Sequence, residues 1–101
     1  MKRKPKYTVE EIRRRITPIA KRYGVTRMYL FGSYACDGAG ARSDIDLRID
    51  AGKIRDYFEL AQLYGDLEES LKTKVDLLTT CALEKNFLEK IAKDEILLYA
   101  E

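Results

Sequence analysis

A chain of 101 residues with 46% hydrophobic content has the size and composition of one globular domain, which leaves little room for a separate substrate domain. No apolar run approaches the ~20 residues a membrane-spanning helix needs, and the basic start, Met1 to Lys6, has no apolar segment behind it, so the chain reads as soluble and cytoplasmic. With no histidine and two distant cysteines, Cys36 and Cys81, neither a zinc site nor a disulfide framework is expected, and acid–base or metal chemistry falls to carboxylates.

The net charge of +2 hides an asymmetry: residues 1–27 hold ten Lys/Arg against Glu10 and Glu11, and the remainder is acidic. The basic segment reads first as a solvated helix face with a flexible tail over residues 1–7. The functional alternative is attraction to a triphosphate, a nucleic acid or an acidic partner.

Thr8 and Glu11 have capping-box spacing and start the first helix, on which Val9, Ile12, Ile16, Ile19, Ala20 and Tyr23 share one face. Pro18 lacks the amide that would bond back to Arg14 and should kink this helix, and Gly24 ends it. Val25 to Phe31 is a short apolar run that predicts a buried strand. The small-residue stretch Ala35 to Ala41 starts as a helical turn and finishes as loop. Ser43 to Asp50 then alternates strictly, with Ile45, Leu47 and Ile49 on one face and Asp44, Asp46, Arg48 and Asp50 on the other, the pattern of a half-buried strand. Lys53 to Leu71 predicts a long helix burying Ile54, Phe58, Ala61 and Leu67, with Leu60, Leu63, Tyr64 and Leu71 widening the stripe and Gly65 weakening it. Lys74 to Leu78 is a third strand, and Leu83 to Tyr99 supplies one last helix or two short ones.

Chemistry concentrates between Leu30 and Leu47. Asp44 and Asp46, at i and i+2 on a strand, project from the same face and can share hard divalent cations such as Mg²⁺. Ions so held bridge phosphate oxygens in an in-line displacement. Asp76, between Val75 and Leu77, could complete the metal site or accept a proton. Gly32 lets backbone approach a phosphate, and Ser33 offers donors at the start of a helical turn. Each piece alone is bland: Asp-x-Asp usually marks a solvated strand edge, Gly-Ser a turn, and Asp50 plain surface. Tyr34 and Cys36 read best as packing residues, with a self-modification or base-stacking role for the tyrosine and a reactive thiol as the sharper alternatives. Joint order and spacing raise the constellation above these readings.

Leu30-Phe31-Gly32-Ser33-Tyr34-Ala35, followed by Asp44-Ile45-Asp46-Leu47 and later by Val75-Asp76-Leu77, resembles the minimal nucleotidyltransferases of the DNA polymerase β superfamily. Within them it is similar to the MntA-type antitoxins that accompany HEPN-domain ribonuclease toxins. The resemblance covers nearly the whole chain. It implies an α/β (α+β) nucleotidyltransferase fold, a small mixed sheet flanked by helices, in a single domain. It also implies Gly32 and Ser33 as triphosphate contacts, Asp44, Asp46 and Asp76 as a two-ion Mg²⁺ site, and transfer of AMP from ATP to a tyrosine of the partner toxin. Family members commonly continue with Arg-Gly where this chain has Cys36 and Asp37, which puts nucleotide affinity in question; Arg42 and Arg48 are the nearby residues placed to compensate.

A rival of another class is a weakly catalytic or non-catalytic antitoxin that occludes its toxin through the basic first helix and exposed Tyr57 and Tyr64. A subunit modifying a small molecule ranks lower, because one small domain encloses a second substrate poorly. A nucleic acid as direct substrate ranks lower again, for want of a visible stacking platform.

Overall fold

The computed structural model describes residues 7–34, 44–80 and 83–101. In chain order it contains α1 (Val9–Tyr23), β1 (Arg27–Phe31), a 3₁₀ turn (Gly32–Tyr34), β2 (Ile45–Asp50), α2 (Tyr57–Leu71), β3 (Val75–Thr79), α3 (Lys85–Ala92) and β4 (Ile96–Ala100). The four strands form one mixed sheet in the order β3-β2-β1-β4, with β1 antiparallel to both β2 and β4 and β2 parallel to β3.

The local signals act as their chemistry requires. Thr8 Oγ1 accepts from the Glu11 amide at 3.1 Å and Glu11 Oε1 from the Thr8 amide at 3.2 Å, satisfying two donors of the first turn of α1. The helix continues through Pro18 and stops at Gly24, whose φ of 71° is left-handed. Ile12, Ile16 and Ala20 of α1 and Leu63, Leu67 and Leu71 of α2 are buried together with Ile45, Leu47 and Ile49 of β2 and Met28 and Leu30 of β1. Both long helices therefore cover one face of the sheet. Residues 1–6 of the expected tail lie outside the described residues, whereas Tyr7 is core, only 6% exposed, with the Arg15 guanidinium 4.7 Å from its ring centroid.

Three expectations about the last two helices and the chain's end are corrected. The second helix begins at Tyr57, capped by Asp56, rather than at Lys53, and its buried stripe is Leu63, Leu67 and Leu71 with Leu60 and Tyr64 at its margins. Phe58 and Ala61 are exposed, because at 3.6 residues per turn they cannot share a face with that stripe. The chain also closes with a strand, not a helix: Ile96–Ala100 pairs with β1 across a bulge at which Met28↔Tyr99 gives way to Tyr29↔Leu97. A short apolar run fits either element, and an available sheet edge decides it.

The second face of the sheet is also partly covered. Phe87 of α3 meets Phe31 edge-on, with ring centroids 6.3 Å apart. Arg48, expected on a solvated face, is 8% exposed, and Glu95 binds it through both oxygens, at 3.1 and 2.6 Å. Its guanidinium also stacks 4.1 Å from the Tyr29 ring centroid and donates to Thr80 Oγ1. Asp50, expected as plain surface, belongs to the same network, accepting from Thr80 Oγ1 at 2.6 Å.

Candidate active site

Parallel pairing sets the heart of the site. Asp46 of β2 and Asp76 of β3 are register partners, and Phe31, the last residue of β1, is the register partner of Asp46 from the other side. Asp44 stands just before β2, held there by the Ile45 amide donating to Lys74 O at 3.0 Å. Period-two alternation puts Asp44, Asp46 and Asp76 opposite the core-facing Ile45, Leu47 and Val75.

Gly32 explains itself twice over. Its φ of 73° is left-handed, and a Cβ there would overlap the Asp46 carboxylate oxygen Oδ2. The chain thus brings bare backbone directly against an acid, which only glycine allows.

The charges at this end are poorly compensated. Burial, a hydrogen bond with Asp76, and repulsion from Asp76 and Asp44 push the Asp46 carboxyl from 3.8 up to about 6. The nearest cation among the described residues is Lys74, whose Nζ lies 4.0 Å from Asp44 on two largely exposed side chains. Phe31, Asp46, Tyr64, Asp76 and Leu78 line an open cleft of about 440 Å³. A larger groove of about 540 Å³ between α1 and α2 contains Arg15, Pro18 and Glu69 and lies away from these acids.

The structure therefore gathers Gly32, Asp46 and Asp76, with Asp44 close enough to act on Asp46 electrostatically. Among the described residues no three carboxylates converge as a ready metal cage. Ser33 lies in the 3₁₀ turn that follows β1. Arg42, Cys36 and Asp37 lie outside the described residues. Arg48 does not face the acids as a compensating cation, since Glu95 and Tyr29 hold its guanidinium. Tyr34 is buried at 7% exposure, which fits its reading as a packing residue.

Tyr64 and Glu68 contribute what the sequence reading missed. Tyr64, expected both to widen the buried stripe and, in the occlusion reading, to be an exposed contact, is half-buried against the core and donates to Glu68 Oε2 at 2.9 Å, and the same oxygen accepts the Val75 amide at 3.1 Å. Glu68 thus ties α2 to the start of β3, one residue before Asp76. The i, i+4 spacing of Tyr64 and Glu68 was the available signal.

Residues 14–101 match the sequence pattern of the polymerase beta, nucleotidyltransferase family, and the chain belongs to that family. It is similar to MJ0435 of Methanocaldococcus jannaschii, a candidate protein adenylyltransferase, with 38% identity over 89 residues that cover 88% of this chain and 90% of that one. It is also similar to the protein adenylyltransferase MntA of Thermococcus cleftensis, with 28% identity, 88% of this chain and 94% of that protein covered. Among solved structures, it superposes with a TM-score of 0.71 on a chain of the complex between a tri-AMPylated Shewanella oneidensis HEPN toxin and MNT antitoxin. That match covers 93% of this chain and 74% of that one, and at 20% identity it speaks to the fold alone. The minimal nucleotidyltransferase fold expected from the Gly-Ser and Asp-x-Asp motifs is the fold observed.

Proposed function

We propose that this nucleotidyltransferase moves AMP from ATP to a tyrosine hydroxyl of a HEPN-type ribonuclease toxin and thereby acts as its antitoxin. The observation that carries the reading is the pairing of Asp46 with Asp76 across β2 and β3, directly against the bare backbone of Gly32. Relatives named protein adenylyltransferases support the transferred group, and the partner is proposed by analogy with the HEPN toxin that accompanies the MNT antitoxin in the superposed complex.

The donor set suits a hard divalent cation: all ligands are oxygens, and the burial and acidic neighbours that raise Asp46 are a cost to its charged form that a bound dication would offset. Mg²⁺ typically takes one or two carboxylates and completes its shell with phosphate and water oxygens, so a ready-made protein cage is not required. Asp44, Asp46 and Asp76 would hold it, and when bound it supplies neutralisation of charge on the phosphate oxygens. Gly32 and Ser33 take the triphosphate against backbone amides, with Arg42 as a further contact. Asp76, on the exposed side of the pair, accepts the proton of the attacking phenol. The phenol oxygen bonds to the α-phosphorus, the α–β phosphoanhydride bond breaks, and pyrophosphate leaves.

Calorimetric titration of ATP with Mg²⁺ tests the nucleotide site, run beside the Asp44→Ala, Asp46→Ala variant. Saturable binding lost in the variant supports it, and AMP transfer to the purified toxin then tests the acceptor. A folded wild type that binds no ATP at millimolar concentration, yet still silences the toxin, would replace this reading with neutralisation by occlusion.

A further inference from the structure

A second charged surface lies at the junction between the end of α1 and the start of α2. Lys21, Arg22, Lys53 and Arg55 line one open cleft there, of about 500 Å³. The acids around it are already engaged. Asp66 Oδ2 accepts from the Tyr23 hydroxyl at 2.6 Å and lies 3.7 Å from Arg22. Asp56 accepts from the Glu59 amide at 2.9 Å, and Glu59 from the Arg55 amide at 3.4 Å. Among the described residues, no carboxylate approaches the charged heads of Lys21, Lys53 or Arg55 within ion-pair distance. Lys21 and Arg22 complement the negative end of the α1 dipole, but Lys53 and Arg55 stand in the connection before α2, where that account does not reach.

The same surface carries Tyr57 and Phe58, 87% and 83% exposed. At 3.6 residues per turn, Phe58 falls on α2 between Tyr57 and the side of Glu59 and Gln62 that borders the cations, so the rings wrap around the start of α2 from the cationic cleft. A groove of about 470 Å³ shares Arg55 and continues past Tyr57 to Leu60 and Thr79. A lone exposed ring on a solvated helix is ordinary. Glu59 lines the cleft and Asp56 the neighbouring groove, but both carboxylates are taken by backbone amides, and two consecutive exposed rings near three cations that form no ion pair among the described residues combine the elements that hold a single strand, charge for the phosphates and flat faces for the bases.

We propose that this face binds single-stranded polynucleotide, with phosphates against Lys21, Lys53 and Arg55 and bases stacked on Tyr57 and Phe58. It is a binding surface and carries out no chemistry. It stands apart from the Asp46–Asp76 site and does not rest on the activity proposed there. An acidic protein segment would use the same cations without needing the rings, and that difference separates the two.

The test is fluorescence anisotropy of a labelled single-stranded oligonucleotide of about 12 nucleotides, as RNA and as DNA, with the full chain over a range of salt. Three phosphate contacts give a slope of log affinity against log salt of about −2, at roughly −0.7 per contact on a single strand. Phe58→Ala and Tyr57→Ala each weaken binding about tenfold and leave that slope unchanged, whereas Arg55→Ala lowers its magnitude by about 0.7. All three side chains are exposed, so circular dichroism should show each variant folded as the parent. Equal affinity for RNA and DNA, or preference for either, agrees with the proposal and says whether the sugar is read. Absence of binding at low salt overturns it. So does wild-type affinity in both ring variants together with displacement by polyglutamate of matching charge, which would mark the face as a site for an acidic protein.

Discussion

Asp46 and Arg48 stand two residues apart on the same face of β2, and their surroundings treat the two charges oppositely. Arg48 is matched on every side: Glu95 binds it through both oxygens, Thr80 accepts from it, and Tyr29 offers its ring. Asp46 is partly buried, hydrogen-bonded to Asp76 and flanked by more of its own sign, and burial first, then that bond and the repulsion from Asp76 and Asp44, drive its carboxyl up to about 6. A compensated charge inside a sheet serves the fold, while a cluster left in mutual repulsion persists where function needs it. Alternation over residues 43–50 announced four polar residues on one face without saying which would be neutralised, because Glu95 and Tyr29 arrive from other parts of the chain.

The largest break in the comparison removes the partner of Arg48. In Glu95→Ala the guanidinium stays buried with its bidentate partner gone and only Asp50, 3.9 Å away, still opposite it; loss of one partner of a buried pair costs up to about 3–5 kcal/mol. Urea unfolding should show the full loss, with the connection between α3 and β4 most affected. Arg48→Met with Glu95→Leu, which removes both charges, should recover most of the stability, and failure to recover it would mean the pair does more than satisfy itself.

That network marks where the sequence stopped being legible. The capping box at Thr8, the stop at Gly24 and the core face of β2 were readable because each depends on neighbours within a few residues, whereas Asp46 and Asp76 reach Gly32 from later strands and were grouped only by the joint order of the motifs and the resemblance it carries. Arg48 was misplaced toward the nucleotide because its partners come from the distant α3–β4 connection. β4 was misjudged because Ile96-Leu97-Leu98-Tyr99 fits a helix or a strand until an open edge of β1 is known. Phe58 was assigned to the core because apolar character was counted without fixing the phase of α2, which Leu63, Leu67 and Leu71 decide.

Gly32→Ala acts on the other side of the comparison, pressing a methyl group against the Asp46 carboxylate at a left-handed φ. Strain and displacement together should cost about 2 kcal/mol. ATP affinity should fall more than tenfold by calorimetry, since the carboxylate must move from its place beside Asp76. Unchanged affinity would separate the glycine from the nucleotide site.

Asp46→Asn removes the partly buried charge and the repulsion it feels together. A carboxyl raised from 3.8 to about 6 binds its proton more tightly when folded, so the stability linked to it is present below pH 4 and is lost as pH rises through about 6. Two pH units would carry about 3 kcal/mol; with the group about half in solvent, screening reduces this to about 1 kcal/mol. In Mg²⁺-free buffer the variant should therefore be about 1 kcal/mol more stable than the parent at pH 7.5 and no different at pH 4, while AMP transfer is abolished. A variant equally stable at both pH values would mean that neither burial nor its acidic neighbours make the Asp46 charge costly in the free protein.

The smallest effect sharpens the contrast most. Lys74 is the nearest cation to the acids among the described residues, yet it meets Asp44 at 4.0 Å with the two side chains 67% and 42% exposed, so solvent screens the pair. Lys74→Ala should change stability by no more than about 0.5 kcal/mol, against several for Glu95→Ala. Thermal unfolding of both variants in one buffer makes the comparison direct. A loss from Lys74→Ala near that of Glu95→Ala would show the acidic end to be neutralised by the protein itself, and the distinction between Asp46 and Arg48 would disappear. A negligible loss leaves the three aspartates with excess negative charge, the condition that favours recruiting a cation from solution.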